Sequence, residues 1–160
     1  QSATLVGPVI FKHPVNSQTH YLFYYYQYAN RTTTQFQILD LNMDTGSFAL
    51  VDGGLGRPYI DKTVVHPDTG KLYIPTQQPP LLVTYDPTTK IAKTLKRIPD
   101  NSMIWVMAIG DDKKVYLGES VNGYLERYDP ALDPTETAVA QSWTNFGIVA
   151  NPNSSSNYRK

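Results

Sequence analysis

Four residues that could bind a substrate lie within six positions of one another. Arg57, Tyr59, Asp61 and Lys62 follow the glycine-rich stretch 52–56, where glycine lets the backbone turn sharply. The guanidinium of Arg57 can bind both oxygens of a carboxylate, so a uronic acid is a suitable ligand. The alternatives are an ion pair between Arg57 and a neighbouring Asp, and a structural ion pair between Asp61 and Lys62.

Three further residues are predicted to contact the same ligand. Trp105 occupies the position of Asp61 in a later repeat of the sequence, and its indole ring could stack on a sugar; packing between sheets is the alternative. Glu119 and Asn122 flank a short turn and offer polar contacts. Asp61 and Glu119 would serve as the paired carboxylates of a glycosidase, or as partial calcium ligands, only if the fold brings them together.

The chain has three histidines, and two of them are predicted to be catalytic acids or bases. His20 and His66 are the candidates, because an imidazole exchanges protons near neutral pH. His13 and His66 both precede proline at the ends of predicted strands, so a role in turns is the alternative. No acidic residues stand at metal-ligand spacing from these histidines, so no metal site is predicted.

The composition excludes several classes of protein. The 160 residues contain 14 Lys and Arg against 14 Asp and Glu, so bulk positive charge does not favour nucleic acid or an anionic membrane. Cysteine is absent, which excludes disulfides and thiolate chemistry. No apolar run is long enough for a membrane span. The 12 tyrosines indicate a chain rich in β-strands.

A repeat of roughly 43 residues organises the chain. The phrase 65–74, VHPDTGKLYI, is matched by 109–117, IGDDKKVYL, and the triplet YDP at 85–87 returns at 128–130. Each unit divides into four short strands with Asp, Pro and Gly turns, and no stretch has helical periodicity. This spacing is typical of β-propeller blades. The predicted units are 4–52, 57–97, 101–142 and, as the start of a fourth blade that includes its first strand, 144–160, with inner strands at 5–10, 60–65 and 103–109.

The same phrases carry a resemblance to known families. Residues 66–73, 83–89 and 110–118 resemble blades of bacterial-type β-propellers, including the streptogramin-lyase-like, SMP-30/gluconolactonase-like and YVTN-repeat groups. Secreted sugar-active propellers, such as the rhamnose-glucuronate hydrolases and lyases, have similar blades. The resemblance implies an all-β chain that forms about three blades of a larger ring, about seven-bladed, with the remaining blades on another chain or segment.

The resemblance also implies a function. We expect part of a secreted or periplasmic propeller that acts on complex carbohydrate, as a lyase or glycosidase on an acidic or rhamnose-capped glycan. One alternative is a non-catalytic propeller that binds a glycan or a protein. A second is a metal-dependent, lactonase-like enzyme, for which calcium would be the cofactor.

Overall fold

The computed structural model describes residues 3–28, 34–98, 102–120, 123–137 and 139–149. Over these ranges the chain forms thirteen β-strands, and its helical structure is confined to three-residue 3₁₀ turns at Ile60–Lys62, Pro130–Leu132 and Ala140–Ser142. None of the helical segments in these ranges has the length and apolar character needed to cross a membrane. The predicted all-β class is confirmed.

The first sheet is an antiparallel meander of four strands. In the third strand, β3 (Thr34–Asn42), the side chains are alternately buried and partly exposed, as expected for a strand that covers a core with one face. Gly46 has a φ of 70° and closes the Asp-Thr-Gly turn between β3 and the fourth strand, β4 (Phe48–Leu55), where most side chains would be strained. The strands follow one another in chain order: β1 Ala3–Lys12, β2 Thr19–Tyr28, β3 Thr34–Asn42 and β4 Phe48–Leu55.

The second sheet departs from the prediction at its inner edge. The repeat predicts a continuous inner strand over 60–65, but two strands of two residues flank a 3₁₀ turn. Pro58 pairs with Thr76 and Val64 pairs with Tyr73. The inner edge therefore advances six residues while β7 advances three, and the surplus residues of the inner edge form the turn. The strands are β5 Arg57–Pro58, β6 Val64–Val65, β7 Leu72–Gln77, β8 Leu81–Asp86 and β9 Ile91–Arg97.

The third sheet contains the strand that was predicted to open a fourth blade. Residues 143–148 pair antiparallel with the strand before them and form the outer strand of the third sheet. The expected outer strand before residue 142 is replaced by a loop, in which the Asp133 carboxylate accepts a hydrogen bond from the Thr137 backbone. Residues 150–160 lie outside the described ranges. The strands are β10 Ile104–Ile109, β11 Val115–Glu119, β12 Tyr124–Tyr128 and β13 Trp143–Ile148.

The three sheets stack face to face as an open series, with one hydrophobic core at each of two seams. We call the face directed toward the following sheet the leading face, and the opposite face the trailing face. The first core joins the leading face of sheet 1 to the trailing face of sheet 2 and includes Tyr24, Ile38, Ile74 and Val83. The second core joins sheets 2 and 3 in the same order and includes Tyr73, Leu82, Val115 and Leu117.

A buried carboxylate ties the first seam together. Asp40 of β3 binds the His20 Nδ1 of its own sheet at 2.7 Å, and accepts hydrogen bonds from the Tyr85 hydroxyl at 2.6 Å and the Lys90 ammonium at 2.7 Å, both from sheet 2. Burial by itself would raise the pKa of Asp40, but the hydrogen bonds from Lys90, Tyr85 and His20 outweigh it and lower that pKa. Asp40 therefore remains ionised inside the seam.

Two of the three histidines, each in the turn that follows an inner strand, bridge their own sheet to the next one. His13 Nε2 lies 3.3 Å from the Thr88 hydroxyl, and its Nδ1 accepts from the Val15 backbone. His66 Nε2 donates to the Lys113 carbonyl at 3.1 Å, and its Nδ1 accepts from the Asp68 backbone. Both imidazoles therefore contact the backbone of their own turns, and a catalytic role for His66 stays a prediction.

Removal of the seam carboxylate should destabilise the fold strongly. We expect Asp40→Ala to lower the free energy of unfolding by about 3–5 kcal/mol, because it leaves buried donors of both sheets without their shared acceptor. Urea denaturation measures the change. Asp68→Ala is the control, since Asp68 is exposed and pairs with Lys113 at the surface; it should cost less than about 1 kcal/mol. Equal costs for the two variants would contradict the role given to Asp40.

Stability should also fall on mild acidification. Burial lowers the pKa of His13 below 6.5, with His20 and Lys90 acting in the same direction and Asp86 and Asp40 opposing them. The unfolded chain then binds more protons than the folded one between the two pKa values, so stability is lost as pH falls from 6.5 toward the folded pKa. Asp40 adds its loss only below pH 3.8, since its folded pKa is also lowered.

Urea midpoints at about pH 7 and about pH 5 test this dependence. We expect the native chain to lose more stability between these two values than His13→Gln does, because a glutamine side chain cannot take up a proton. An equal or larger loss in the variant would show that His13 is not the group responsible.

Candidate functional site

The inner edge of sheet 2 brings together five of the nine residues predicted from the sequence. The 3₁₀ turn after β5 projects from the edge of the sheet, and the neighbouring strand β10 of sheet 3 lies alongside it. Their side chains form one surface, which we call the aromatic–cation surface. Its members are Arg57, Tyr59, Asp61, Lys62 and Trp105.

Lys62 is the centre of this surface. Its ammonium lies 4.8 Å from the ring centroid of Trp105 and 5.6 Å from that of Tyr59. The same ammonium is 3.2 Å from the Asp61 carboxylate, whose side chain is 73% exposed. Since the Lys62 side chain is only 18% exposed, the two rings and the lysine hold one another in place. The structural ion pair between Asp61 and Lys62 is therefore present, within a larger aromatic group.

Trp105 is available to a ligand. Its side chain is 55% exposed, which places it outside the core between sheets 2 and 3. The pairing of β10 with β11 shifts register between Ile104 and Val106, and such a bulge redirects the side chain at the extra position. The bulge explains how a large aromatic ring comes to lie at the exposed edge.

Arg57 lines a small cleft beside the aromatic pair. The cleft has a volume of about 150 Å³ and lies between Val6 and Tyr26 of sheet 1 and the segment 57–61 of sheet 2. The Arg57 guanidinium lies 5.5 Å from the ring centroid of Tyr26. Enclosed small-molecule pockets measure roughly 300–1,000 Å³, so this cleft suits one functional group of a ligand that continues over the open surface.

Tyr59 connects the surface to the sheet below it. Its hydroxyl donates to the Gln77 side chain at 2.5 Å and contacts the Met103 sulfur at 3.5 Å. Burial raises the pKa of Tyr59, Asp61 raises it further, and Arg57 opposes them without reversing the shift. The hydroxyl is therefore protonated at neutral pH, which makes it a hydrogen-bonding and packing group.

The two predicted catalytic histidines do not reach this surface. Arg57 pairs with Gln77 at one end of β7, whereas His66 follows Val65, which pairs with Leu72 at the other end. Five residue steps along a strand span about 17 Å. His20 is buried on Asp40 in the first seam, and its Nε2 has no hydrogen-bond partner among the described residues.

Of the two remaining residues predicted to contact a ligand, the structure describes one. Glu119 is buried at the end of β11, opposite Ile104, so it lies near the exposed edge without being part of it. The predicted carboxylate pair therefore combines an exposed Asp61 with a buried Glu119. Asn122 lies outside the described residues.

A second polar cleft was missed at the sequence level. It has a volume of about 250 Å³ between the turn of sheet 2 and the loop 130–136, and is lined by the predicted catalytic residue His66 together with Lys71, Tyr73, Asp133 and Glu136, among others. Lys71 pairs with Glu136 at 2.9 Å, and Glu136 has a φ of 55°, which is uncommon for a residue with a side chain. The repeat predicts a strand where this loop lies, so the sequence pattern does not indicate the cleft.

Cofactor sites and relatives give no further indication of function. Within the described residues, no group of three or more His, Asp or Glu side chains is placed to hold a metal ion. Comparisons with protein families, with curated proteins and with solved structures found no match to this chain.

The exposure of Trp105 can be tested by fluorescence quenching. Trp143 is the second tryptophan of the chain; it packs on Tyr128 at 4.9 Å, with the Lys96 ammonium 4.4 Å from its ring centroid. We expect acrylamide to quench Trp105 more strongly. Relative to the native chain, the Stern–Volmer constant should therefore fall in Trp105→Phe and rise in Trp143→Phe. The opposite order would place Trp105 in the interior.

Proposed function

We propose that the three stacked sheets are consecutive blades of a β-propeller. Three observations support this: each sheet is a four-stranded antiparallel meander apart from the divided inner edge of sheet 2, the sheets pack in chain order, and the two seams use corresponding positions of the repeat. Tyr85 and Tyr128, for example, occupy the same position of the repeated triplet, and both lie on trailing faces. In such a ring the inner strands line the central channel.

We further propose that the chain binds an acidic saccharide at the aromatic–cation surface. The observation that carries the proposal is the grouping of Arg57, Lys62 and the exposed ring of Trp105 along the neighbouring inner edges of sheets 2 and 3. A pyranose presents an apolar face that an indole can cover, and a uronic acid adds a carboxylate that a guanidinium binds through two parallel hydrogen bonds. The 150 Å³ cleft beside Arg57 would receive that carboxylate.

Binding without chemistry is the function favoured by this arrangement. The histidines predicted to move protons lie elsewhere, and Tyr59 is protonated at neutral pH. Cleavage of a glycosidic bond by the usual route needs two carboxylates at defined separation on either side of that bond, and Glu119 is buried. The lyase and glycosidase functions, the calcium-dependent lactonase and the secreted or periplasmic location stay predictions from the sequence.

Calorimetric titration with a defined oligogalacturonide tests the proposal. We expect binding that weakens at higher salt, because the main polar contact pairs opposite charges at an exposed site. Arg57→Ala should weaken binding by about 10-fold to 100-fold, as expected when a charged hydrogen-bonding partner is lost. Trp105→Ala should also weaken it, through loss of the stacking surface.

Two controls separate the site from general charge effects. Arg97→Ala removes an exposed arginine from the outer strand β9, away from the cleft, and should leave the affinity unchanged. A neutral oligosaccharide of the same length should bind more weakly than the uronide. No binding of the uronide, or equal effects of the Arg57 and Arg97 substitutions, would overturn the proposal.

A further inference from the structure

The two positive charges of the aromatic–cation surface differ in their surroundings. The Arg57 guanidinium contacts the ring of Tyr26 and, among the residues that the structure describes, forms no ion pair with a carboxylate. The Lys62 ammonium already has a carboxylate, because that of Asp61 lies 3.2 Å away. Arg57 is therefore free to bind an acidic group of a ligand, whereas a second acidic group at Lys62 would have to displace Asp61.

The exposure of the Asp61–Lys62 pair adds to this difference. The Lys62 side chain is 18% exposed, whereas that of Asp61 is 73% exposed. The rings of Tyr59 and Trp105 lie against the lysine ammonium. The charge that a ligand meets beside Trp105 is consequently the negative charge of Asp61, and a sugar stacked on this tryptophan would lie next to a carboxylate.

The chemistry of this carboxylate determines which sugar suits the position. A neutral sugar has hydroxyl groups that donate hydrogen bonds, and bonds to a charged acceptor are stronger than those between neutral groups. A uronic acid would place a like charge beside Asp61, which is unfavourable. Asp61 also lines the cleft at Arg57, so it lies between the guanidinium and the tryptophan.

We propose that Asp61 determines specificity at this surface by limiting a bound saccharide to one carboxylate. The acidic sugar binds at Arg57, and the sugar that stacks on Trp105 is neutral and donates hydroxyl groups to Asp61. The ligand class is a saccharide in which a uronic acid is joined to neutral sugars, in place of a chain of consecutive uronic acids. This inference rests on the proposed function, because it assigns positions within the same binding surface.

Calorimetric titration with two trisaccharides tests the role of Asp61. One is trigalacturonic acid, which has three carboxylates, and the other has a single glucuronic acid joined to two xyloses. We expect the native chain to bind the singly acidic trisaccharide about five-fold more tightly at low salt, since two like charges about 4 Å apart in water repel by that amount. Equal affinities, or tighter binding of trigalacturonic acid, would overturn the proposal.

Substitution of Asp61 should remove the preference. In Asp61→Asn the Lys62 ammonium loses its partner and the like charge is absent, so trigalacturonic acid should bind about five-fold more tightly than to the native chain. The affinity for the singly acidic trisaccharide should change by less than about two-fold, because the asparagine oxygen still accepts from a hydroxyl. Asp61→Glu keeps the charge and should keep the native preference.

Asp68→Asn is the matched control. Asp68 is a second exposed aspartate that pairs with a lysine, in this case Lys113 at 3.4 Å, and it lies in the turn between β6 and β7. This substitution changes the net charge by the same amount as Asp61→Asn and should leave both affinities unchanged. Equal tightening of trigalacturonic acid binding in the two variants would indicate a general charge effect and contradict the role given to Asp61.

These titrations distinguish failure of this inference from failure of the proposed function. Binding that depends on Arg57 without a preference between the two trisaccharides contradicts the specificity assigned to Asp61 and leaves the binding site standing. Absence of binding for both trisaccharides contradicts the site itself.

Discussion

The buried charge of Asp40 is the constraint on which the arrangement of the first two sheets depends. A carboxylate without contact with water is tolerated only when donors surround it, and here the donors come from both sides of the seam: His20 from sheet 1, Tyr85 and Lys90 from sheet 2. Apolar faces alone would allow the sheets to slide. The hydrogen bonds to Asp40 fix their registration, and with it the position of the sheet 2 inner edge against Tyr26 of sheet 1.

The cleft of the candidate site depends on that registration, because Val6 and Tyr26 of sheet 1 form one of its walls. Within sheet 2, the surplus residues between Pro58 and Val64 have no partners on β7 and form the 3₁₀ turn that presents Lys62. The second seam places the bulge of β10 beside this turn, so that Trp105 meets the lysine. The surface is therefore assembled from neighbouring sheets, and the single edge of one sheet would not reproduce it.

The sequence predicted the turns and the strands of the meanders well, because Asp, Pro and Gly at a fixed period leave few other conformations. It also identified Arg57, Lys62 and Trp105 as a group, since charges and a tryptophan on inner strands are unusual. It failed where strand register decides the outcome. The turn at Ile60–Lys62 depends on how many residues of β7 lie opposite, and the identity of β13 depends on the loop before it. The contact between His66 and the Lys113 carbonyl joins positions far apart in the sequence, so sequence spacing could not predict it.

Nuclear magnetic resonance of the two tryptophan indole groups tests the central claim most directly. The chain has two tryptophans, and so two indole N–H signals, one from the exposed edge and one from the packed Trp143. On addition of an oligogalacturonide, the Trp105 signal should shift with saturation while that of Trp143 stays in place. An unmoved Trp105 signal at saturating saccharide, or a shift confined to Trp143, would contradict the assignment of the aromatic–cation surface as the binding site.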